Sequence, residues 1–348
     1  MSRYLTFHHG GVALSVQDAG RAGFIEFGLS KGGAADVLAL AEGAALLGQS
    51  PHFAALEMAG TGGVFSASAP MRIALTGAPM PATLEGRALR WNATHRLEAG
   101  QKLHIGAAKK GVYGYLHIGG GLATPEVLNS RSAHLVAGLG GYLAPNTRLP
   151  IGPDPALSAP GQYLPAPRPR FEGGEVRMVA SAQTARFSAA TRARFEATPF
   201  MRAPQGNRQG VRLGFEGAGF TAADQLDIVS EFMIPGDIQM TGDGTPFVLL
   251  PECQTTGGYP RIGTVIPQDL PVVAQAPPGS PLRFCYIDAD VARASWQGLG
   301  QTCAALARTT RPLLQDPRTL PDLLSYQLIS GVTAGRESDM KGHIYEEN

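Results

Sequence analysis

Glycine and proline punctuate this chain too tightly for long helices: 45 glycines and 27 prolines make up more than a fifth of its 348 residues and fall between short apolar runs. That is how strands joined by turns read. Met71–Thr76, Gly111–Ile118, Glu175–Ala180 and Pro246–Leu250 have strand length and are bounded by Gly, Pro or charge, so the fold is expected to be mainly β with a few helices. The best helical pattern runs from Ala35-Asp36 to Leu47, with Val37, Leu40, Ala41, Ala44 and Leu47 on one period and Gly48 as a stop. A second helix is expected over Asp288–Ala307. A helical tail over Thr310–Leu328, interrupted at Pro312 and Pro317, is expected to be peripheral. No fixed-period repeat suggests a solenoid or propeller.

A chain of this length predicts two core-bearing units. The proline-rich stretch 150–169 forms a stiff, extended connection, which divides the chain into 1–160, 170–290 and a C-terminal extension over 291–348. Hydrophobic residues are 44% and charged residues 16%, a balance that supports packed cores. With 29 Lys plus Arg against 28 Asp plus Glu, no net field draws the protein to nucleic acid or an acidic membrane face. Cys253, Cys285 and Cys303 are odd in number and widely spaced, which fits a reducing cytoplasm better than a disulfide framework. No signal-like segment opens the chain and no apolar run of about 18 residues follows, so a cytoplasmic protein is expected. The eight histidines form no ligand pattern and no metal site is expected.

Several short motifs carry polar chemistry. In Gln17–Gly23, Asp18 and Arg21 stand free for contacts or close a loop between glycines. Gly28–Asp36 leads into the first helix without P-loop spacing, so a tight turn is favoured over a phosphate cradle. Asp36 is a helix cap or a site carboxylate. Gly119-Gly120-Gly121 and Arg131 read as structure rather than ligand contacts. Arg208 and Arg212, on one face if the piece is a strand, either fork onto a substrate anion or meet acidic neighbours such as Glu231.

The most informative stretch runs from Glu231 through Gln239 to Gln254-Thr255-Thr256-Gly257-Gly258-Tyr259-Pro260-Arg261. Amide and hydroxyl groups, a glycine pair able to aim N–H groups at an oxygen, and a guanidinium suit an amide, urea or carboxylate substrate. A polar hairpin turn is the competing reading. Cys253 is read as core packing.

These pieces, in this order, resemble the biotin-dependent carboxyltransferase-like family, which takes in allophanate hydrolase subunit 2 and the C subunit of 5-oxoprolinase. The likeness covers Gln17–Gly23, Gly33-x-x-Asp36, Leu56-Glu57, Leu75–Gly77, Gly119-Gly120, Ser130-Arg131 and Gly138–Gly141. It continues through Arg208–Leu213, Val229–Glu231, Pro235–Gln239, Gln254–Pro260, Asp269–Pro271 and Ala274-Gln275. The resemblance implies two related cyclophilin-like β-barrel domains and a smaller partner, similar to allophanate hydrolase subunit 1 or to the B subunit of 5-oxoprolinase, with a sugar-lyase-like third component as a further candidate. It implies ATP-dependent opening of 5-oxoproline to glutamate, with ATP held at the level of the complex. Transfer of carboxyl from biotin to urea or a related amide is the alternative, and a non-catalytic regulatory or binding protein is the third reading.

Under the first reading Asp36 or Glu231 is the general base, Arg261 joins them in catalysis, and Gly257-Gly258 donate to the oxyanion. Arg208, Arg212, Gln239, Gln254, Thr255, Thr256 and Tyr259 bind substrate. The chain departs from the family at Ala44 and Gln49, where Asn is usual, and at Ser181-Ala182-Gln183, usually Gly-Pro-Gln. Glu252-Cys253 stands in place of Asp-Arg, and Arg261 in place of Lys. Residues from Ser295 onward run past the family's usual end.

Overall fold

The expected strands pair into two sheets and a barrel. The structure, a computed structural model, describes residues 3–222 and 229–314. One sheet has six strands in the spatial order Arg148–Pro150, Tyr4–Gly10, Gly63–Ala67, Lys102–Ile105, Ala82–Leu84 and Arg87–Ala88. A second has seven, Leu14–Gln17, Ala55–Ala59, Tyr113–Ile118, Met71–Gly77, Ala93–Leu97, Gln162–Tyr163 and Arg311–Pro312. Alternation builds the core between them: Leu5 and Phe7 point inward from their strand and join Phe65, Leu103, Met58, Ile73 and Leu116 in one buried cluster. Met71–Gly77 is buried along its whole length, because its other face is covered by the helix Val37–Leu47 (α1).

Helix α1 follows its sequence pattern. Asp36 caps it by accepting from the Ala39 N–H at 3.1 Å, and Gly48 ends it in the left-handed region. Its residues from Ala39 to Leu47 are all buried, Glu42 included.

The second half closes a seven-stranded barrel from Gly174–Val179, Arg261–Val265, Asp237–Met240, Pro246–Leu249, Gly210–Gly214, Phe200–Gly206 and Pro281–Tyr286. The closing step is a parallel pairing, with Val176 opposite Phe284. Closure leaves no unpaired edge. Helix α2 (Ala189–Ala197) packs Phe195 against Phe200, Phe220 and Phe284. Among the described residues only this half closes; the first half is the pair of facing sheets.

A short helix α3 (Leu270–Gln275) precedes the last barrel strand. The expected single helix over 288–307 is two, α4 (Ala289–Ser295) and α5 (Leu299–Ala307), broken at Trp296-Gln297-Gly298. Asp288 caps the first and Gly298 starts the second, and glycine's poor helix propensity explains the break. The tail expected from Thr310 begins instead with the strand Arg311–Pro312, paired to Gln162–Tyr163; the rest of it, from 315, lies outside the described residues. Helix α5 is anchored on the first half, its Leu306 packing on Leu46, Leu47, Ala74 and Leu164. No described helix is long and apolar enough to cross a membrane.

The two halves share a core. Ala34, Ala39, Leu40, Tyr113 and Tyr115 of the first half cluster with Val176, Ile238, Val273 and Phe284 of the second.

Candidate active site

The polar stretch singled out in the sequence lies in a small two-stranded ladder of its own, whose strands are separated in the chain by two barrel strands. Thr256–Gly257 pairs antiparallel with Glu231–Phe232, and the Met233 N–H donates to the Thr255 carbonyl at 2.8 Å. Arg261 opens the following strand directly across from Gln239. Its guanidinium is nearly enclosed, with 10% of the side chain exposed. Nη1 donates to the Phe232 carbonyl (2.8 Å) and to Asp237 Oδ2 (3.1 Å), Nη2 donates to Glu231 Oε2, and the backbone N–H donates to Gln183 Oε1 (3.0 Å). The two carboxylates differ. Asp237 is buried and also accepts from the Ile234 N–H (3.1 Å) and the Thr264 hydroxyl (2.6 Å). Glu231 has 46% of its side chain exposed. One guanidinium between two carboxylates therefore has a fixed partner and a displaceable one.

Beside Arg261, Gln254 Nε2 donates to Gln239 Oε1 at 3.0 Å and to Met233 Sδ at 3.6 Å, which leaves the exposed Gln254 side chain with its carbonyl oxygen. Thr255 is buried, Thr256 is exposed, and Tyr259 is 45% exposed at the rim. Gly258 lies just past the two-residue ladder that holds Gly257. The structure thus gathers Glu231, Arg261, Gln239 and the 254–259 run in one place. Asp237 and Gln183, which position Arg261, were not anticipated as site residues. Gln183 had stood out only as part of a departure from the family pattern.

Asp36, Arg208 and Arg212 are elsewhere. Asp36 is wholly buried: besides capping α1, its Oδ2 accepts from Arg170 Nε (2.6 Å) and Gln275 Nε2 (2.8 Å). A carboxylate committed on both oxygens and closed to solvent is not placed to take a proton from water, which corrects its expected role as base. Its partner Arg170, from the end of the proline-rich connection, also binds Glu42 through Nη1 and Nη2 (2.9 and 2.7 Å). The sequence offered no signal for Arg170, since an arginine in the run Pro167-Arg168-Pro169-Arg170 reads as exposed.

Arg208 is enclosed too. It donates to Glu57 Oε1, to Glu252 Oε1 (2.5 Å) and to the Gly33 carbonyl, so it meets acidic neighbours, but not Glu231. It precedes the strand that contains Arg212 and does not share a face with it; Arg212 is only partly buried.

The glycine-containing loop is a turn and not a phosphate cradle. The Gly32 N–H donates to the Pro251 carbonyl, Ala34 to the Asp18 carbonyl, Ala35 to Glu57 Oε2 (2.8 Å) and Asp36 to the Tyr115 hydroxyl (2.9 Å). None of these four N–H groups is left to face an anion. Asp18 and Arg21 do not pair with each other. Burial pushes the Asp18 carboxyl up, but hydrogen bonds from the Ser130 and Ser132 hydroxyls and from the Arg131 and Gly20 N–H groups outweigh it and hold the pKa below its ordinary value. Arg21 donates to the Val127 and Ser132 carbonyls.

Ser30, His134 and Glu252 suggest a nucleophilic triad, and the hydrogen bonding excludes it. The Ala137 N–H donates to His134 Nδ1 (3.2 Å), so Nε2 carries the proton and donates to Ser30 Oγ (2.9 Å), the wrong polarity for a base. Glu252 is held by Arg208 and by the Leu135 N–H (2.9 Å). Cys253 packs with Met233 and Leu249, and burial pushes its thiol up to about 12. Among the described residues no group of His, Cys, Asp and Glu is arranged to hold a metal ion.

Residues 27–286 match the family model described as carboxyltransferase domain, subdomain A and B. The C subunit of the 5-oxoprolinase of Escherichia coli (strain K12) is 33% identical over 278 residues, 79% of this chain and 88% of that protein. A urea amidolyase of Saccharomyces cerevisiae (strain ATCC 204508 / S288c) is 29% identical over 133 residues, 38% of this chain and 7% of that protein. Among solved structures, TTHA0988 superposes with a TM-score of 0.73 at 29% identity, covering 82% of this chain; the chain spans only 56% of that longer one. The K. lactis urea amidolyase, at 23% identity, shares the fold with a TM-score of 0.77 over 87% of this chain and 20% of its own.

Proposed function

The chain belongs to the carboxyltransferase domain, subdomain A and B family, and from that premise we propose that it is one component of a multi-subunit hydrolase that opens 5-oxoproline to glutamate. The observation that carries the reading is the unequal pair of carboxylates on Arg261. A substrate carboxylate takes the place of Glu231 on the guanidinium, while Asp237 and Gln183 keep the arginine in position. Released from its ion pair, Glu231 accepts a proton from water as the water oxygen bonds to the lactam carbon; the C–N bond breaks and the nitrogen takes up a proton. The Gln239–Gln254 amide pair orients the ring amide, and the Gly258 N–H, past the two-residue ladder, donates to the developing oxyanion.

ATP, when bound, supplies activation of a carbonyl that is otherwise a poor electrophile. The Gly28–Asp36 loop does not fit its phosphates, because its N–H groups are already engaged. In this reading the nucleotide is held elsewhere in a complex with a smaller partner, similar to the B subunit of 5-oxoprolinase or to allophanate hydrolase subunit 1. A sugar-lyase-like third component completes this reading. The second reading, carboxyl transfer from biotin to urea or a related amide, has the urea amidolyase similarity in its favour.

The test is to coexpress the chain with a smaller partner and a sugar-lyase-like component of this kind, and to measure ATP-dependent glutamate release from 5-oxoproline. Release that disappears in Glu231→Gln is the expected result. An assembled complex that releases no glutamate overturns the first reading, and bicarbonate-dependent carboxylation of urea by a biotin-loaded assembly establishes the second.

A further inference from the structure

A cleft of about 700 Å³ opens between the start of α1, the Arg168 and Arg177 side of the barrel, and the elbow that joins α4 to α5. Its volume lies within the ~300–1,000 Å³ of small-molecule sites. The wall from Ser295 to Thr309 lies past residue 286, where the match to the family model ends. The elbow is tied down: Gln268 Nε2 donates to the Ser295 carbonyl at 3.0 Å. It presents Trp296 with 58% of its surface exposed, facing apolar lining from Val37, Leu38 and Pro271.

Charge in the lining has one sign. Lys31, Arg168 and Arg177 line the cleft, and no acidic residue among the described ones does. Behind them the buried Asp269 accepts from Arg168 Nη2 and Arg177 Nε, both at 2.7 Å. One carboxylate between two guanidiniums leaves one positive charge, and the exposed Lys31 adds a second. A flat indole surface beside uncompensated cations selects a ligand with both characters.

We propose that this cleft binds a small amphipathic oxyanion, whose flat apolar body lies on Trp296 and whose carboxylate or phosphate is held by Lys31 and the Arg168–Arg177 pair. It shares no residue with the Arg261 cluster, so it stands or falls apart from the hydrolase reading.

The chain has two tryptophans, and the other, Trp91, donates its indole N–H to the Gly77 carbonyl at 3.0 Å, outside the cleft lining. The full chain is titrated with 4-phenylbutyrate, phenyl phosphate and uncharged benzyl alcohol while tryptophan emission is followed. A saturable change is expected with at least one anion, about ten-fold tighter than with the alcohol, and absent in Trp296→Phe. Lys31→Gln is expected to weaken the anion roughly five-fold and to leave the alcohol unchanged. Which anion binds identifies the head group. No saturable binding of either anion, equal affinity for the alcohol, or an unaltered affinity in Lys31→Gln overturns the proposal.

Discussion

At Arg261 a single side chain makes the contacts that define the site, and its substitutions separate charge from geometry. Arg261→Lys keeps one positive charge but cannot reach Phe232, Asp237, Glu231 and Gln183 together. It is expected to stay folded and lose roughly ten- to a hundred-fold in kcat/KM in the assembled enzyme. Arg261→Met leaves Asp237 buried without its cation, and urea denaturation should show a loss of about 3–5 kcal/mol. Asp18 makes a second residue-scale test. Asn cannot accept all four of its hydrogen bonds, so Asp18→Asn is expected to cost about 2–3 kcal/mol at pH 7. The folded-state pKa lies below the ordinary 3.8, so the carboxylate's contribution is fully present above that value and lost as pH falls through the folded pKa. Denaturation of wild type and variant at pH 7 and pH 3 should therefore show the gap shrinking in acid. Cys253, with its thiol pushed up to about 12, should resist iodoacetamide at pH 8 in the native protein and react in urea, as read by mass spectrometry.

At the scale of elements, strand positions were legible because short apolar runs bounded by turn residues or charge are local signals, as Met71–Gly77 and Pro246–Leu249 illustrate. Helix α1 was legible for the same reason, with cap, periodicity and stop all carried in its own residues. The α4–α5 break was missed because Gly298 is weighed against helical patterning on both sides, and an N-cap in mid-pattern looks like a tolerated glycine. The Gly119–Gly121 bend was read as structural, and Gly120 shows why. Its φ is +91°, and a Cβ there would collide with the Gly152 and Pro153 carbonyl oxygens. Gly120→Ala is expected to lower stability by more than about 2 kcal/mol, measured by chemical denaturation, because strain and clash add.

Across the whole molecule, buried ion pairs bind the halves together. Arg208 of the second half reaches Glu57 in the first, and Arg170 at the end of the connection joins Asp36 and Glu42, while Gln275 of α3 donates to Asp36 and to the Tyr113 carbonyl. Residues 170–290 expressed alone would expose Arg208 without Glu57 and one side of the shared core. That fragment is expected to give a poorly dispersed NMR spectrum, whereas the full chain unfolds in one cooperative transition. By itself the sequence determined the β-rich architecture, the first helix and the family, and it pointed to the polar segment Gln254–Arg261, since all of these rest on local patterning or on ordered motifs. Only the tertiary structure decided which polar groups are site and which are scaffold. Asp36, Arg208 and Glu231 are equally polar as letters, and what separates them is whether distant chain segments supply partners and exclude water. Arg170 and Gln275 do so for Asp36, and nothing among the described residues does for the exposed face of Glu231.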